Sequence, residues 1–320
     1  MTLNFFKKKD ISHTIAFYNI ENLFDIYDDA FTRDDDLIPT AEKRWSIKRY
    51  QNKLRKIAYV IANIGKKDTQ KHPVIVGLAE IENEAVLKDL VNTEHLAGLN
   101  YDFVHYNSPD ERGIDVAFIY DTTVFKVAYS KTYTLELIDE FGVVDLTRDI
   151  LLVSGLLEGL ELHCIVNHWP SRRTGNAETE HKRIKASEKV TQIISEIKEK
   201  NPEAKIVIMG DFNDDPSSKS IKALELSHGL YNPMGTLLSQ DRGTTSHRHE
   251  WNLFDQFLVT PNFFERKKNT LRYVNTNIFD EDFLKEMEGK YKGSPYRTYV
   301  GKRYKGGYSD HFPIYLILRK

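Results

Sequence analysis

The sequence predicts a layered α/β (α+β) fold, and three observations carry that prediction. Short apolar runs recur along the chain, and stretches with helical apolar spacing separate some of them. Hydrophobic residues make up 40% of the 320 residues and aromatics 12%, enough to fill a sizeable core.

Taken in order, Thr14–Tyr18, Val74–Leu78, Val116–Tyr120, Ile150–Ser154, Leu162–Val166, Lys205–Met209, Phe257–Val259 and Ile314–Leu318 read as strands. Leu54, Ile57, Ala58 and Ile61 repeat at helical spacing, with Gly65 as a stop. Val190, Ile193, Ile194 and Ile197 do the same ahead of Pro202. Ile206–Met209 is apolar at consecutive positions, which predicts a strand covered on both faces. Asp25–Asp36 is acid-rich and reads as an exposed loop. Lys43–Lys56 is basic and, as a helix, predicts a solvated charged face. No repeat or low-complexity linker divides the chain, so residues 1–12 are expected as a tail and 13–320 as one domain.

Composition bounds the function. With 45 basic and 47 acidic residues the formal net charge is -2, less basic than a sequence-blind nucleic-acid coat protein. A nuclease fits that balance, because it must also release its product. The single cysteine, Cys164, lies inside an apolar run; it allows no internal disulfide and no thiolate metal site, and reads as a buried, inert thiol. The start, MTLNFFKKKD, lacks the apolar core of a signal peptide. No run approaches the roughly 20 apolar residues of a membrane span. A cytoplasmic monomer is expected; a secreted or periplasmic protein with its signal removed would look the same.

Polar residues of catalytic type stand beside six of the strands. IMGDFNDDP puts Asp211 and Asn213 after Ile206–Met209, and on an extended chain these two point to one side. FYNIEN places Asn19 and Glu21 at the same spacing, GLAE ends in Glu80, and IVNHWP carries His168. LFDQFLV opens with Asp255, and GGYSDHFP brings Asp310 and His311 ahead of the last strand. Any one of these has a plain reading as a turn former; six together point to a shared site.

These motifs, with RGIDVAFIYD and NHWPSRR, resemble the endonuclease/exonuclease/phosphatase superfamily, in order from about residue 14 to 318. The resemblance implies a four-layer α/β/β/α sandwich with two central, mostly antiparallel sheets and a metal-dependent phosphoesterase site at one end of them. It implies metal ligands at Glu80, Asn19, Glu21 and Asp310, with Glu21 standing where the family often has Asp. It implies catalytic roles for Asp211, Asn213, His168 and His311, with Asp255 orienting His311.

Converging carboxylates favour a cation: like charges about 4 Å apart repel by roughly 4 kcal/mol at an effective dielectric of 20. Oxygen ligands select a hard ion, Mg²⁺ with Mn²⁺ or Ca²⁺ as substitutes. Zinc would gather more His or Cys than His247 and His249 supply, and that pair reads as exposed. Arg112, Arg172 and Arg173 are candidates for phosphate contact because a guanidinium fork matches a phosphate. Trp251 is a candidate for base stacking, with core packing as its plain alternative. The expected function is a Mg²⁺-dependent phosphodiester hydrolase acting as a nuclease by in-line attack of water, with nucleic acid as partner. A phosphatase or phosphodiesterase on a small-molecule or lipid head-group ester is the alternative, and a non-catalytic binding protein a distant third.

Overall fold

In the computed structural model the apolar runs assemble into two sheets laid face to face between helices. The structure describes residues 11–320 apart from 139–141, 143, 174 and 248. One sheet has six strands in the order Arg272–Ile278, Ile314–Arg319, Ser12–Leu23, Ile75–Ile81, Asp115–Asp121, Tyr101–His105. The other has five, in the order Asp255–Val259, Ile206–Asp211, Leu160–His168, Ile150–Leu157, Phe125–Tyr133. Neighbours are antiparallel except for one parallel pair in each sheet, Ser12–Leu23 with Ile75–Ile81 and Leu160–His168 with Ile206–Asp211. All eight expected strands are present. Of the expected tail, residues 1–10 lie outside the described residues, and the first strand begins at Ser12.

Alternation along each strand decides what its two faces meet. Val207 and Met209 join a core cluster with Phe17 and Val166, between the sheets. Ile206 and Ile208 turn the other way and pack with Ile193, Ile194 and Leu224 of helices Asn176–Lys200 and Lys219–His228. On the far side, helix Ile47–Asn63 buries Leu54, Ile57, Ala58 and Ile61, and helix Glu84–Val91 buries Val86, Leu87 and Leu90. The result is the expected four layers, helix, sheet, sheet, helix. The sheets approach closely at Gly77, where a Cβ would lie 2.8 Å from Met209 Sδ and 3.2 Å from Val166. Cys164 is buried between the sheets, and burial pushes its thiol pKa up, as an inert core thiol requires. Among the described residues no helix is long and apolar enough to cross a membrane.

The basic helix departs from expectation at Lys53, which is 1% exposed rather than solvated. Its ammonium donates to the Thr298 hydroxyl and, at 2.6 Å, to the Tyr308 carbonyl. The segment carrying those two acceptors lies over the helix and covers a face that the helix alone would leave in water.

Candidate active site

The strand ends converge around one carboxylate, Asp211. In register it lies beside His168 on one neighbouring strand and Asp255 on the other, so all three side chains leave the sheet on the same face. That is the face Met209 uses to pack against the other sheet, so the group points at the opposite strand ends. Asp211 Oδ2 accepts from the Asn19 amide at 3.0 Å and lies 3.7 Å from His168 Nε2 and 3.9 Å from His311 Nε2. His311 Nδ1 is 2.7 Å from Asp255 Oδ2. Glu80 Oε2 accepts from the Asn22 N–H at 2.8 Å, while Oε1 is 3.4 Å from the same Asn19 amide and 3.9 Å from His168. Asp310 accepts from Arg297 Nη2 at 2.8 Å.

Local backbone geometry aims these groups. Pairing slips between Asn19 and Leu23 and between Ala79 and Ile81, a bulge in each of two adjacent strands. Glu21, Asn22 and Glu80 sit in those bulges at φ 52°, 51° and 68°, a left-handed conformation that costs a non-glycine residue about 1–3 kcal/mol. Asn213 is left-handed too, at φ 49°. The two-residue spacings therefore do not arise from extended chain, as alternation suggested, but from two matching turns. Asn19 Oδ1 accepts from the Glu21 N–H at 3.1 Å, and Asp211 Oδ1 accepts from the Asn213 N–H at 2.9 Å. The Asn213 side chain turns away and donates to the Trp169 carbonyl at 2.9 Å. Gly210 is required by close approach: a Cβ there would lie 2.3 Å from the Asn167 carbonyl oxygen.

Electrostatics separate the two histidines. Burial alone would lower His311, but the carboxylates of Asp255 and Asp211 outweigh it and hold the imidazole well above its ordinary value. Burial lowers His168 well below that value, and Arg148, Arg112 and His311 push the same way. The two rings flanking Asp211 are thus pushed in opposite directions, His311 towards the cation and His168 towards the neutral form. Burial raises Asp211 to about 6 against the pull of His311. Burial and the neighbouring Asp310 raise Glu21 to about 7, against the pull of Lys53 and Arg297.

Four of the expected site residues have their side chains engaged elsewhere. Glu21 does not turn its carboxylate to the Glu80 side: Oε2 accepts from the Thr298 N–H at 2.6 Å and Oε1 faces Arg297 at 3.5 Å. Arg172 is not free for substrate, because its fork grips Asp214 at 2.7 Å and Asp215 at 3.3 Å over the Phe254 ring. Trp251 packs on the core, stacked on Phe312 at 6.0 Å. The Asn213 side chain is engaged as described. Of the other arginines, Arg112 is close enough to lower His168 and shares Asp110 with Arg148. Arg173 is exposed, without an ion-pair partner among the described residues. Two arginines escaped the sequence reading. Arg148 is buried, bonding Asp110 at 3.1 Å and the Trp169 carbonyl at 2.7 Å; Arg297 bridges Asp310 and Glu21. Arg148 stands just ahead of strand Ile150–Leu157, the same boundary position that marked the others.

Among the described residues one group of three His or acidic side chains gathers its ligand atoms closely enough to hold an ion. Asp211, Asp255 and His311 offer atoms within 4.8 Å of one another. In that group His311 Nδ1 is already committed to Asp255. Glu80 Oε1, 3.4 Å from the Asn19 amide, and the partly exposed Asp310, paired with Arg297 at 2.8 Å, are further oxygen donors of the kind a hard cation takes.

Fold and site together define a hydrolase of phosphate esters. The chain belongs to the endonuclease/exonuclease/phosphatase family, which it matches over residues 14–320. A comparison with curated proteins gives no match. Among solved structures it resembles a humanized D. rerio TDP2, at 17% identity and TM-score 0.57 over 97% of this chain and 99% of that one. It resembles equally a Bacteroides thetaiotaomicron mannosyl-6-phosphatase, at 17% identity and TM-score 0.58 over 96% and 99%. An endonuclease/exonuclease/phosphatase family protein from the same bacterium matches at 17% identity and TM-score 0.58, over 97% and 98%.

Proposed function

We propose that the chain is a Mg²⁺-dependent phosphodiester hydrolase of nuclease type. The observation that carries this reading is Asp211 Oδ2, reached by Asn19 and flanked by a cationic His311 and a neutral His168. Asp211 orients a water in line with phosphorus and takes its proton. His311, fixed by Asp255, keeps its Nε2 proton and donates it in a hydrogen bond to a non-bridging oxygen. His168, neutral, presents Nε2 to the phosphate or the leaving oxygen. The Asn213 N–H and the Asn19 amide hold Asp211 in place, and Arg112 and Arg148 add positive charge beside His168. Glu80 and Asp310, with the Asn19 oxygen, would hold the ion; when bound it neutralises charge on the phosphate and leaving oxygens. Uncatalysed phosphate-ester hydrolysis is so slow that a base worth about 10²–10⁴ cannot suffice, so positioning and charge stabilisation carry most of the rate.

TDP2 supports the nuclease reading through a complex described as holding a single strand DNA product. The mannosyl-6-phosphatase, equally similar, supports the second reading, a phosphatase on a small ester. A chelator-controlled panel decides between them: duplex DNA, single-stranded DNA, RNA, a phosphodiester dye, a phosphomonoester dye and lipid head groups, each with Mg²⁺. Cleavage of nucleic acid or the diester dye, falling steeply with added salt on the polymer, is the expected result. Turnover of the monoester alone would overturn the nuclease reading.

A further inference from the structure

The loop that follows strand Ser12–Leu23, residues 24–37, leaves the sheet at the rim that holds Asn19 and Glu80. Among the described residues, two of the three most exposed large apolar side chains stand on it, Phe31 at 95% and Tyr27 at 73%. Neither ring has an aromatic or cationic partner among the described residues. Leaving a phenylalanine in water forgoes roughly 1.5–3 kcal/mol of burial. Two like turns present the rings: Asp25 Oδ1 accepts from the Tyr27 N–H at 2.7 Å, and Asp29 Oδ1 accepts from the Phe31 N–H at 3.0 Å. The loop is also fastened to its surroundings. The Asp25 N–H donates to Glu82 at 2.5 Å, and the buried Asp34 accepts from the Asp29 N–H at 3.1 Å. The Arg33 N–H donates to the Glu111 carbonyl at 2.8 Å, and the Arg33 guanidinium pairs with the Glu111 carboxylate at 2.6 Å. Thr32 lies against Gly113, where a Cβ would fall 2.6 Å from Thr32 Cγ2. Phe31 therefore precedes a residue packed on the turn that carries Arg112, and Arg112 is close enough to act on His168.

We infer that Phe31 and Tyr27 form a stacking platform for the bases of a single strand whose phosphate occupies the hydrolytic centre. The platform rests on the nuclease reading and deepens it, because it gives the strand a direction, towards the turn at Arg112. Asp28, Asp35 and Asp36 expose carboxylates on the same loop and repel phosphate, so the loop meets the strand by its bases and leaves the backbone to Arg112. A ring accepts any base by its π-face, so the platform selects unstacked bases without selecting sequence.

The test is steady-state cleavage, with Mg²⁺ and the full chain, of a single-stranded thymidine oligonucleotide and of the same backbone with stable abasic residues in place of every nucleoside. Phe31→Ala should raise KM for the base-bearing strand by about fivefold or more relative to KM for the abasic one. Tyr27→Ala should shift that ratio in the same direction, and Phe31→Trp should restore it. A fold defect would raise both KM values alike, so the ratio separates stacking from a structural role. If the parent chain cleaves the base-bearing strand and both alanine variants keep the parent's ratio, the platform is overturned while the nuclease reading stands. If the parent cleaves neither strand but turns over a phosphomonoester dye, the nuclease reading falls and the platform falls with it.

Discussion

Asp211 and His311 must hold opposite protonation states for the proposed step, the one ionised and the other protonated. Turnover should therefore be bell-shaped in pH. Burial places Asp211 at about 6, and a bound cation would lower it, so the rising limb is expected at or below pH 6. The falling limb belongs to His311 and should lie well above the ordinary imidazole value of about 6.5, because Asp255 and Asp211 outweigh burial. Asp255→Asn removes one of those charges. The falling limb should move to lower pH, with turnover on its basic side falling about tenfold for each pKa unit lost; an unmoved limb in a pH–rate profile would remove Asp255 from this role. Asp211→Asn should lower turnover by roughly 10²–10⁴ without loss of fold, checked by activity and circular dichroism. At this scale the sequence was informative about which residues meet, because each catalytic-type side chain follows or precedes an apolar run. It was uninformative about Glu21, Arg172 and Trp251, whose partners Thr298, Asp214 and Phe312 are set by tertiary packing.

Two elements hold the site rigid, and each can be broken separately. The first is the strand Ile206–Asp211. Gly210→Ala forces a methyl against the Asn167 backbone, which cannot yield as a side-chain tip would. It should cost about 1–3 kcal/mol in urea unfolding and also lower turnover, because Asp211 is the next residue. The second is helix Ile47–Asn63, which carries Lys53 into the interior beside Glu21. Lys53→Met leaves that buried carboxyl with Arg297, 3.5 Å away, but without its second cation, and should destabilise the fold wherever Glu21 is ionised. The sign with pH follows. Glu21 has a folded pKa of about 7, above its ordinary value of about 4.3, so the fold binds the extra proton and loses stability as pH rises through that window. Removing Lys53 raises Glu21 further, so the variant should be more destabilised at pH 8 than at pH 5, and Lys53→Met with Glu21→Gln should recover much of the difference. The central strands were legible because apolar runs need cover on both faces. Tyr101–His105, Phe125–Tyr133 and Arg272–Ile278 were not: all three lie at sheet edges, and charged or polar residues interrupt their pattern. Helix Glu84–Val91, at 8 residues, is too short for a clear period.

Across the whole molecule the two sheets act as one jig. Each contributes a parallel pair whose strand ends reach the same rim, and Gly77 lets the pairs approach closely enough for Asn19 of one sheet to touch Asp211 of the other. The near-neutral chain, at net charge -2, offers no general attraction for a polyanion, so any preference for nucleic acid must come from local charge such as Arg112, Arg148 and Arg173. The four-layer order was legible only through the motifs, since composition and periodicity are equally consistent with other layered α/β folds. The account rests on one ion joining the two halves of the rim. Its most direct test is the Mg²⁺ dependence of phosphodiester-dye hydrolysis, measured from a chelated start for the parent chain and for Glu80→Gln. The account predicts no turnover in chelator, recovery with Mg²⁺, and a clearly higher Mg²⁺ concentration for half-maximal rate in Glu80→Gln. Full turnover in chelator, or identical Mg²⁺ curves for the two proteins, would contradict it.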